Sequence, residues 1–131
     1  EYLMKHLPKE LRDKSVMVDG KMTSKKGKAQ REKAIEDMRA GKKHFLFATY
    51  ALAKEGLDIP RLDRLYLVTP QKDYAVIAQS VGRVARTFEG KVTPVVYDYV
   101  DNGIQYLVRS FKKRCTTYRK LGCHWLEEAV M

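Results

Sequence analysis

Two arginines, Arg83 and Arg86, stand three positions apart in the segment 79–86 and follow Gly82. Residues three apart lie on one face of a helix. Two permanently charged guanidiniums on one face suit a polyphosphate better than a single carboxylate, and Gly82 leaves the backbone open. The alternative is an amphipathic helix with solvated arginines, and the spacing alone leaves both interpretations open.

An apolar run of strand length, residues 45–50, lies about thirty residues upstream. It leads into residues 51–60, which are expected to form a short helical segment closed by Gly56 and Pro60. Thr49 therefore stands at the carboxyl end of a predicted strand, and Asp58 follows shortly after it. Open α/β sheets place ligand contacts at such strand ends, so this segment is a second candidate for a binding role.

Together, the two segments resemble motifs of a known family. Residues 49–60 resemble motif V of the superfamily 2 helicases, and residues 79–86 resemble their motif VI, of the form Q-x-x-G-R-x-x-R. The order and separation of the motifs are also similar to those of the family. The resemblance extends from about Tyr2 to Val100 and corresponds to the second of two RecA-like motor domains. Gln79 stands where DEAD-box proteins carry histidine, which resembles the DExH, XPB-like or type III restriction-like branch.

The resemblance implies half of an ATP site. ATP and Mg²⁺ would be held mainly by an N-terminal RecA-like domain of the same polypeptide, and no G-x-x-x-x-G-K-[ST] loop occurs here. Arg83 and Arg86 would act as arginine fingers on the γ-phosphate, with Gln79 positioning them. Gly56 and Asp58 would contact the nucleotide or couple it to motif VI. The chain by itself is expected to be inactive as an ATPase.

The resemblance also implies contacts to a nucleic-acid backbone, with DNA favoured over RNA. Thr49 resembles the motif V threonine that hydrogen-bonds a phosphate, and Gly56 would let the backbone come close. Gly20 and Lys21 match a loop that touches the phosphate chain in the family, and Arg31 matches the arginine that follows it. These contacts would be independent of base sequence. The structural alternative for Thr49 and Asp58 is a capping pair.

Basic residues exceed acidic ones by 26 to 16, for a net charge of +10, and they cluster around residues 21–43 and 109–120. Clustered basic charge is typical of nucleic-acid binders, although a solubilising surface is the alternative. Cys115, Cys123 and His124 lack a fourth ligand and C-x-x-C spacing, so no metal site is expected. The composition predicts neither a membrane span nor a leader, and therefore a cytoplasmic or nucleoid-associated protein.

Alternating elements predict an α/β protein with a RecA-like three-layer sandwich, in which helices flank a mostly parallel sheet. Strands are expected over 15–19, 44–49, 64–69 and 92–100, with helices over 29–39, 73–86 and 102–121 between and after them. Residues 1–101 are expected to form the RecA-like domain, and 102–131 a basic helix and tail. The family's first strand is missing, so the sheet should contain a vacancy or a borrowed strand.

Two functions of different classes follow from these observations. The first is the C-terminal motor domain of an ATP-dependent helicase or translocase. The second is a RecA-like nucleic-acid-binding or regulatory module without ATPase activity. The presence of Arg83, Arg86, Gly56 and Asp58 favours the first.

Overall fold

Four short parallel strands form two separate ladders in a computed structural model that describes residues 1–54 and 57–126. Strand β1 (Ser15–Val18) pairs with β2 (Phe45–Ala48), with Val18 opposite Ala48. Strand β3 (Arg64–Leu67) pairs with β4 (Val95–Asp98), with Leu67 opposite Asp98. Because the strands are parallel, the chain must cross between them through the helices that flank the ladders.

Six helices accompany the strands in the described part of the chain. They are α1 (Tyr2–Lys5), α2 (Lys9–Asp13), α3 (Lys25–Arg39), α4 (Tyr50–Lys54), α5 (Tyr74–Val84) and α6 (Gln105–Lys120). Parallel strands flanked by helices confirm the predicted α/β, RecA-like fold class. None of the described helices is long and apolar enough to cross a membrane.

Each ladder has its own apolar core. Val18, Ala34, Leu52 and Leu57 form the first cluster, which joins β1, α3 and α4 to the segment before β3. Leu67, Ile77, Val81 and Tyr118 form the second, which joins β3, α5 and α6. Because Tyr118 packs against α5 and β3, helix α6 shares the second core. The expected domain boundary at residue 101 stays a prediction.

Helix α3 begins earlier than its sequence suggested. Residues 25–28 form its first turn, whereas the helix was expected to start at residue 29. The Gly27 amide donates to Ser24 Oγ at 3.0 Å, so Ser24 is the N-cap of this helix. A helix begins directly after its N-cap, which explains the earlier start.

Helix α5 is shorter than predicted. It ends at Val84, so Arg86 lies beyond the helix and does not share a helical face with Arg83. The carbonyl of Val84 accepts a hydrogen bond from the Lys91 side chain at 2.6 Å, in place of an amide of a continuing helix. The residues that α5 buries are Val76, Ile77, Ser80, Val81 and Val84.

Helix α4 covers only part of the segment that was expected to be helical, and α6 buries mostly polar side chains. The segment expected to be helical over 51–60 contains only α4, and residues 57–60 are non-helical. Helix α6 buries Ser110, Arg114, Cys115, Thr117 and Tyr118, whereas Ile104 at its N-cap remains 49% exposed. The polar face is buried because Asp98, at the end of β4, accepts hydrogen bonds from Arg114 and Tyr118.

The predicted single sheet is replaced by the two ladders. Among the described residues, β2 and β3 do not pair with each other. The sequence analysis expected a vacancy in the sheet, and the additional strand that would fill it stays a prediction. Strand β2 has exposed residues at both ends, Phe45 and Ala48.

Candidate functional site

An ion pair between Arg86 and Asp58 brings the two motif segments together. The Arg86 guanidinium donates to the Asp58 carboxylate across 28 positions of sequence. Both side chains remain about half exposed, at 44% and 55%. The pair therefore sits at the surface, where an incoming anion could compete with Asp58 for the guanidinium.

Asp58 is held outward by its neighbours. Leu57 and Ile59 on either side are buried, so the segment alternates inward and outward and turns the carboxylate to solvent. The Arg39 Nε at the end of α3 donates to the Asp58 carbonyl at 2.7 Å. Cationic side chains thus contact both the main chain and the side chain of Asp58, and neither contact is the capping interaction considered for this residue.

The Arg83 side chain differs from that of Arg86 in having no partner among the described residues. It lies in the last turn of α5, half-buried, and forms no hydrogen bond or ion pair with any residue of the ranges 1–54 and 57–126. Gln79 is exposed one turn earlier on the same helix. Gly82 is also exposed, and a Cβ built on it would meet no other residue within 4 Å. This end of α5 therefore offers an uncompensated guanidinium beside open backbone.

The Lys91 ammonium connects the two motif segments a second time. It donates to the carbonyls of Pro60 at 3.0 Å, Val84 at 2.6 Å and Arg86 at 2.6 Å. An ammonium has three donors, and these carbonyls use them all. Burial lowers the pKa of Lys91, against an opposing effect from Asp63. The sequence analysis did not single out Lys91, because a lysine after a glycine carries no motif signal of its own.

The residues proposed for nucleic-acid contact follow strands β1 and β2. Gly20 and Lys21 follow β1, and Thr49 follows β2. Since Val18 and Ala48 are opposite each other in a parallel ladder, both segments leave at the same edge. The Thr49 side chain is exposed and makes no hydrogen bond within the described residues, so it does not cap α4 there. Gly20 has no neighbour within 4 Å of a built Cβ.

Two other expected site residues have different outcomes. Arg31 lies on α3, half-buried, in the same helix whose first turn carries Lys25, Lys26 and Lys28. Cations at a helix N-terminus face the positive end of the helix dipole, which makes this turn electrostatically unfavourable without an anion. Gly56 lies outside the described residues, so its expected role has no structural account.

A buried polar network holds the start of α5. Arg114 donates from Nε and Nη2 to the two oxygens of Asp98, at 2.7 and 2.8 Å, and from Nη1 to the Gln71 carbonyl at 3.0 Å. The Gln71 side chain accepts from the Asp73 amide, and Asp73 caps α5. Burial and the Tyr118 hydrogen bond to Asp98 raise the pKa of Tyr118. This network positions α5, and no sequence motif indicated it.

No group of three or more His, Cys, Asp or Glu side chains that could hold a metal ion occurs in the described ranges. Cys115 is buried and Cys123 exposed, and both are free thiols. Burial raises the pKa of each thiol.

Comparison with known proteins gives a consistent result. The family model described as the helicase conserved C-terminal domain matches residues 2–88. The chain is 32% identical over 85% of its length to "Putative helicase 22" of Sulfolobus islandicus filamentous virus, and 31% identical over 65% of its length to UvrABC system protein B of Bacillus licheniformis. It spans only 20% and 13% of those two proteins.

A solved structure shows the same fold. The C-terminal domain of the DEAD-box protein Dbp5 superposes with a TM-score of 0.60 and 22% sequence identity. The match covers 87% of this chain and 59% of that one.

Proposed function

The chain belongs to the helicase conserved C-terminal domain family, and we propose that it is the C-terminal motor domain of an ATP-dependent nucleic-acid helicase or translocase. In this proposal ATP and Mg²⁺ bind mainly to an N-terminal RecA-like domain of the same polypeptide. The present domain completes the cleft, and alone it does not hydrolyse ATP. The protein would act in the cytoplasm or on the nucleoid.

The observation that carries the proposal is the Arg86–Asp58 contact, together with Arg83 three residues away, whose side chain has no partner in the ranges 1–54 and 57–126. Two guanidiniums, one held by an exposed carboxylate and one free of partners among the described residues, provide cationic charge for a phosphate that develops negative charge. Arginine fingers of this kind are worth about 10³–10⁵ in rate. Gln79 would position the cluster, and Asp58 would release Arg86 toward the nucleotide.

The nucleic acid would contact a second group of residues, namely Gly20, Lys21 and Thr49, together with Arg31 on α3. Their support is the shared edge of β1 and β2 and the unoccupied hydroxyl of Thr49. Such contacts neutralise phosphates without reading bases. We propose DNA over RNA as the substrate and the DExH, XPB-like or type III restriction-like branch, because Gln79 stands where DEAD-box proteins carry histidine.

The test uses the full-length protein that carries this domain. ATP turnover is measured at saturating nucleic acid for the wild type and for Arg83→Ala, Arg86→Ala and Arg119→Ala. Arg119 is exposed on α6, and its side chain forms no hydrogen bond or ion pair with the described residues, so it is the matched control. We expect kcat to fall by about 10²-fold or more in the first two variants and to be unchanged in the third.

Several outcomes would redirect the proposal. Wild-type turnover in both Arg83→Ala and Arg86→Ala would mean that other residues supply the fingers. A full-length wild-type protein that binds nucleic acid but lacks nucleic-acid-stimulated ATP turnover would instead favour the binding or regulatory module. ATP hydrolysis by residues 1–131 alone would contradict the assignment of the phosphate-binding loop to another domain.

A further inference from the structure

Lys91 joins three carbonyls that belong to different parts of the candidate site. Pro60 lies two residues after Asp58, Val84 ends α5, and Arg86 carries the guanidinium that pairs with Asp58. The three acceptors lie within 2.6–3.0 Å of one nitrogen. We propose that Lys91 is a positioning residue for the arginine fingers, acting through the main chain of Arg86. This inference rests on the proposed function.

A turn over residues 88–91 directs Lys91 back toward the candidate site. The Lys91 amide donates to the Phe88 carbonyl at 3.1 Å, and Gly90 within this turn has φ of +75°. Positive φ favours glycine, so the sequence Gly90–Lys91 fixes where the lysine leaves the turn. The Arg61 guanidinium lies 5.5 Å from the centroid of the Phe88 ring and packs on the turn from the motif V side.

The chemistry at the helix end also favours an ammonium. The last carbonyls of a helix have no amide partner within it, and the helix dipole is negative there. Lys91 satisfies the Val84 carbonyl and places its charge at the dipole's negative end. The same nitrogen fixes Arg86 two residues later, in a non-helical segment where no other hydrogen bond from the described residues holds its main chain.

The arrangement closes a ring of contacts. From Asp58 the chain leads to Pro60, the Pro60 carbonyl accepts from Lys91, and Lys91 also donates to the Arg86 carbonyl. The Arg86 side chain then returns to Asp58. Movement of the segment around Asp58 is therefore transmitted to Arg86 through both its main chain and its side chain. Arg83 is linked more weakly, through the Val84 carbonyl next to it.

A compact ammonium suits this ring better than a guanidinium. Three carbonyls converge on one nitrogen, whereas a guanidinium spreads its donors over a planar fork. Lys91→Arg keeps the charge and part of the hydrogen bonding, so it should recover part of the function lost in Lys91→Met. Lys91→Met keeps a stem of similar length but removes every donor.

The experiment is a double-mutant cycle on ATP turnover by the full-length protein at saturating nucleic acid. We compare the wild type, Lys91→Met, Arg86→Ala and the double variant, with Lys113→Met on α6 as the control for an exposed lysine. Misplacing a catalytic group by about 1 Å costs on the order of 10²-fold. We expect Lys91→Met to lower kcat by about 10-fold to 10²-fold with KM for ATP changed less than about threefold.

The cycle separates positioning from general stability. If Lys91 acts through Arg86, its replacement has little further effect once Arg86 is alanine, so the two losses are strongly non-additive. Equal losses in both backgrounds, or a wild-type kcat in Lys91→Met, would overturn the inference. A wild-type kcat in Arg86→Ala would instead overturn the proposed function. If Lys91→Met does not fold, Lys91→Gln and Lys91→Arg replace it in the same cycle, with the same criterion.

Discussion

Arg86 and Asp58 form an exposed ion pair that links the end of α5 to the segment before β3. Such pairs contribute little stability, because water and salt screen them. The contact therefore orients the Arg86 guanidinium but adds little to the stability of the fold. Arg39 fixes the main chain of Asp58 independently, so losing the ion pair need not displace the segment.

Asp58→Asn separates these two roles. We expect the free energy of unfolding of the domain to fall by less than about 1 kcal/mol, since both side chains are about half exposed. In the full-length protein, kcat for ATP should fall more than this small destabilisation would suggest, because Arg86 loses its partner. Urea unfolding and steady-state turnover measure the two effects. A loss of several kcal/mol would mean that the pair is structural.

The network at Tyr118 makes a prediction for alkaline pH. Burial first, and then the hydrogen bond to Asp98, raise the pKa of Tyr118 in the folded state. An unfolded tyrosine loses its proton above about pH 10, whereas the folded one retains it, so the folded state binds more protons there. Stability should therefore fall as pH rises above about 10.

Tyr118→Phe removes the titrating hydroxyl, and with it the contribution of Tyr118 to the difference in bound protons between the folded and unfolded states. Urea unfolding of the two proteins between about pH 9 and 11 should show a shallower alkaline decline in the variant, by up to about 1.4 kcal/mol per pH unit. Tyr50, whose pKa is also raised by burial, remains in both proteins and does not affect the difference. Parallel declines would show that Tyr118 titrates as it does in the unfolded chain.

Gly27 and Gly82 differ in the space that an added Cβ atom would find. A Cβ at Gly27 would lie 3.0 Å from Met22 Cα, so Gly27→Ala should destabilise the domain by about 1 kcal/mol despite the better helix propensity of alanine. A Cβ at Gly82 meets nothing within 4 Å, so Gly82→Ala should leave stability unchanged or raise it by about 0.5 kcal/mol.

Gly82→Ala should affect ATP turnover more than it affects stability. If nucleotide approaches the open backbone there, Gly82→Ala lowers kcat in the full-length protein although the domain is no less stable. Thermal unfolding and ATP turnover on the same preparations provide the comparison. Wild-type turnover in Gly82→Ala would indicate that the bound nucleotide stays away from this turn of the helix.

Nucleic-acid binding should be weak, independent of base sequence and dependent on salt. With several phosphates neutralised, log affinity falls linearly with log salt. Thr49→Val removes a hydroxyl but no charge, so it should weaken binding modestly and equally for different sequences, with an unchanged salt slope. Fluorescence anisotropy with single-stranded DNA and RNA of matched length tests this and the preference for DNA. Binding that ignores salt would contradict it.

The sequence predicted the elements better than the contacts between them. The motif resemblance is confirmed by the family match, and the strands were placed because short apolar runs between turn residues have few other interpretations. Helix ends were harder. Helix α3 starts early because the Ser24 side chain accepts a hydrogen bond from the Gly27 amide. Helix α5 ends early, where the Val84 carbonyl accepts a hydrogen bond from Lys91, seven residues further along the chain.

The candidate site was predictable only where a motif marks it. Asp58 and Arg86 belong to motif segments, and the structure brings them together. Lys91 and Arg39 contact the same segments through main-chain carbonyls, which place no demand on the sequence of their partners. The buried Arg114 was also unexpected, since an isolated arginine would not be buried without the bidentate Asp98.

Affinity for a transition-state mimic tests the central claim most directly, because arginine fingers act on charge that develops during phosphoryl transfer. The measurement compares binding of ADP with aluminium fluoride, and of ADP alone, to the full-length wild type and to Arg83→Ala and Arg86→Ala. We predict that each variant binds the mimic about 10²-fold or more weakly while ADP affinity changes less than about threefold. Unchanged affinity for the mimic, or an equal loss for ADP, would contradict the account.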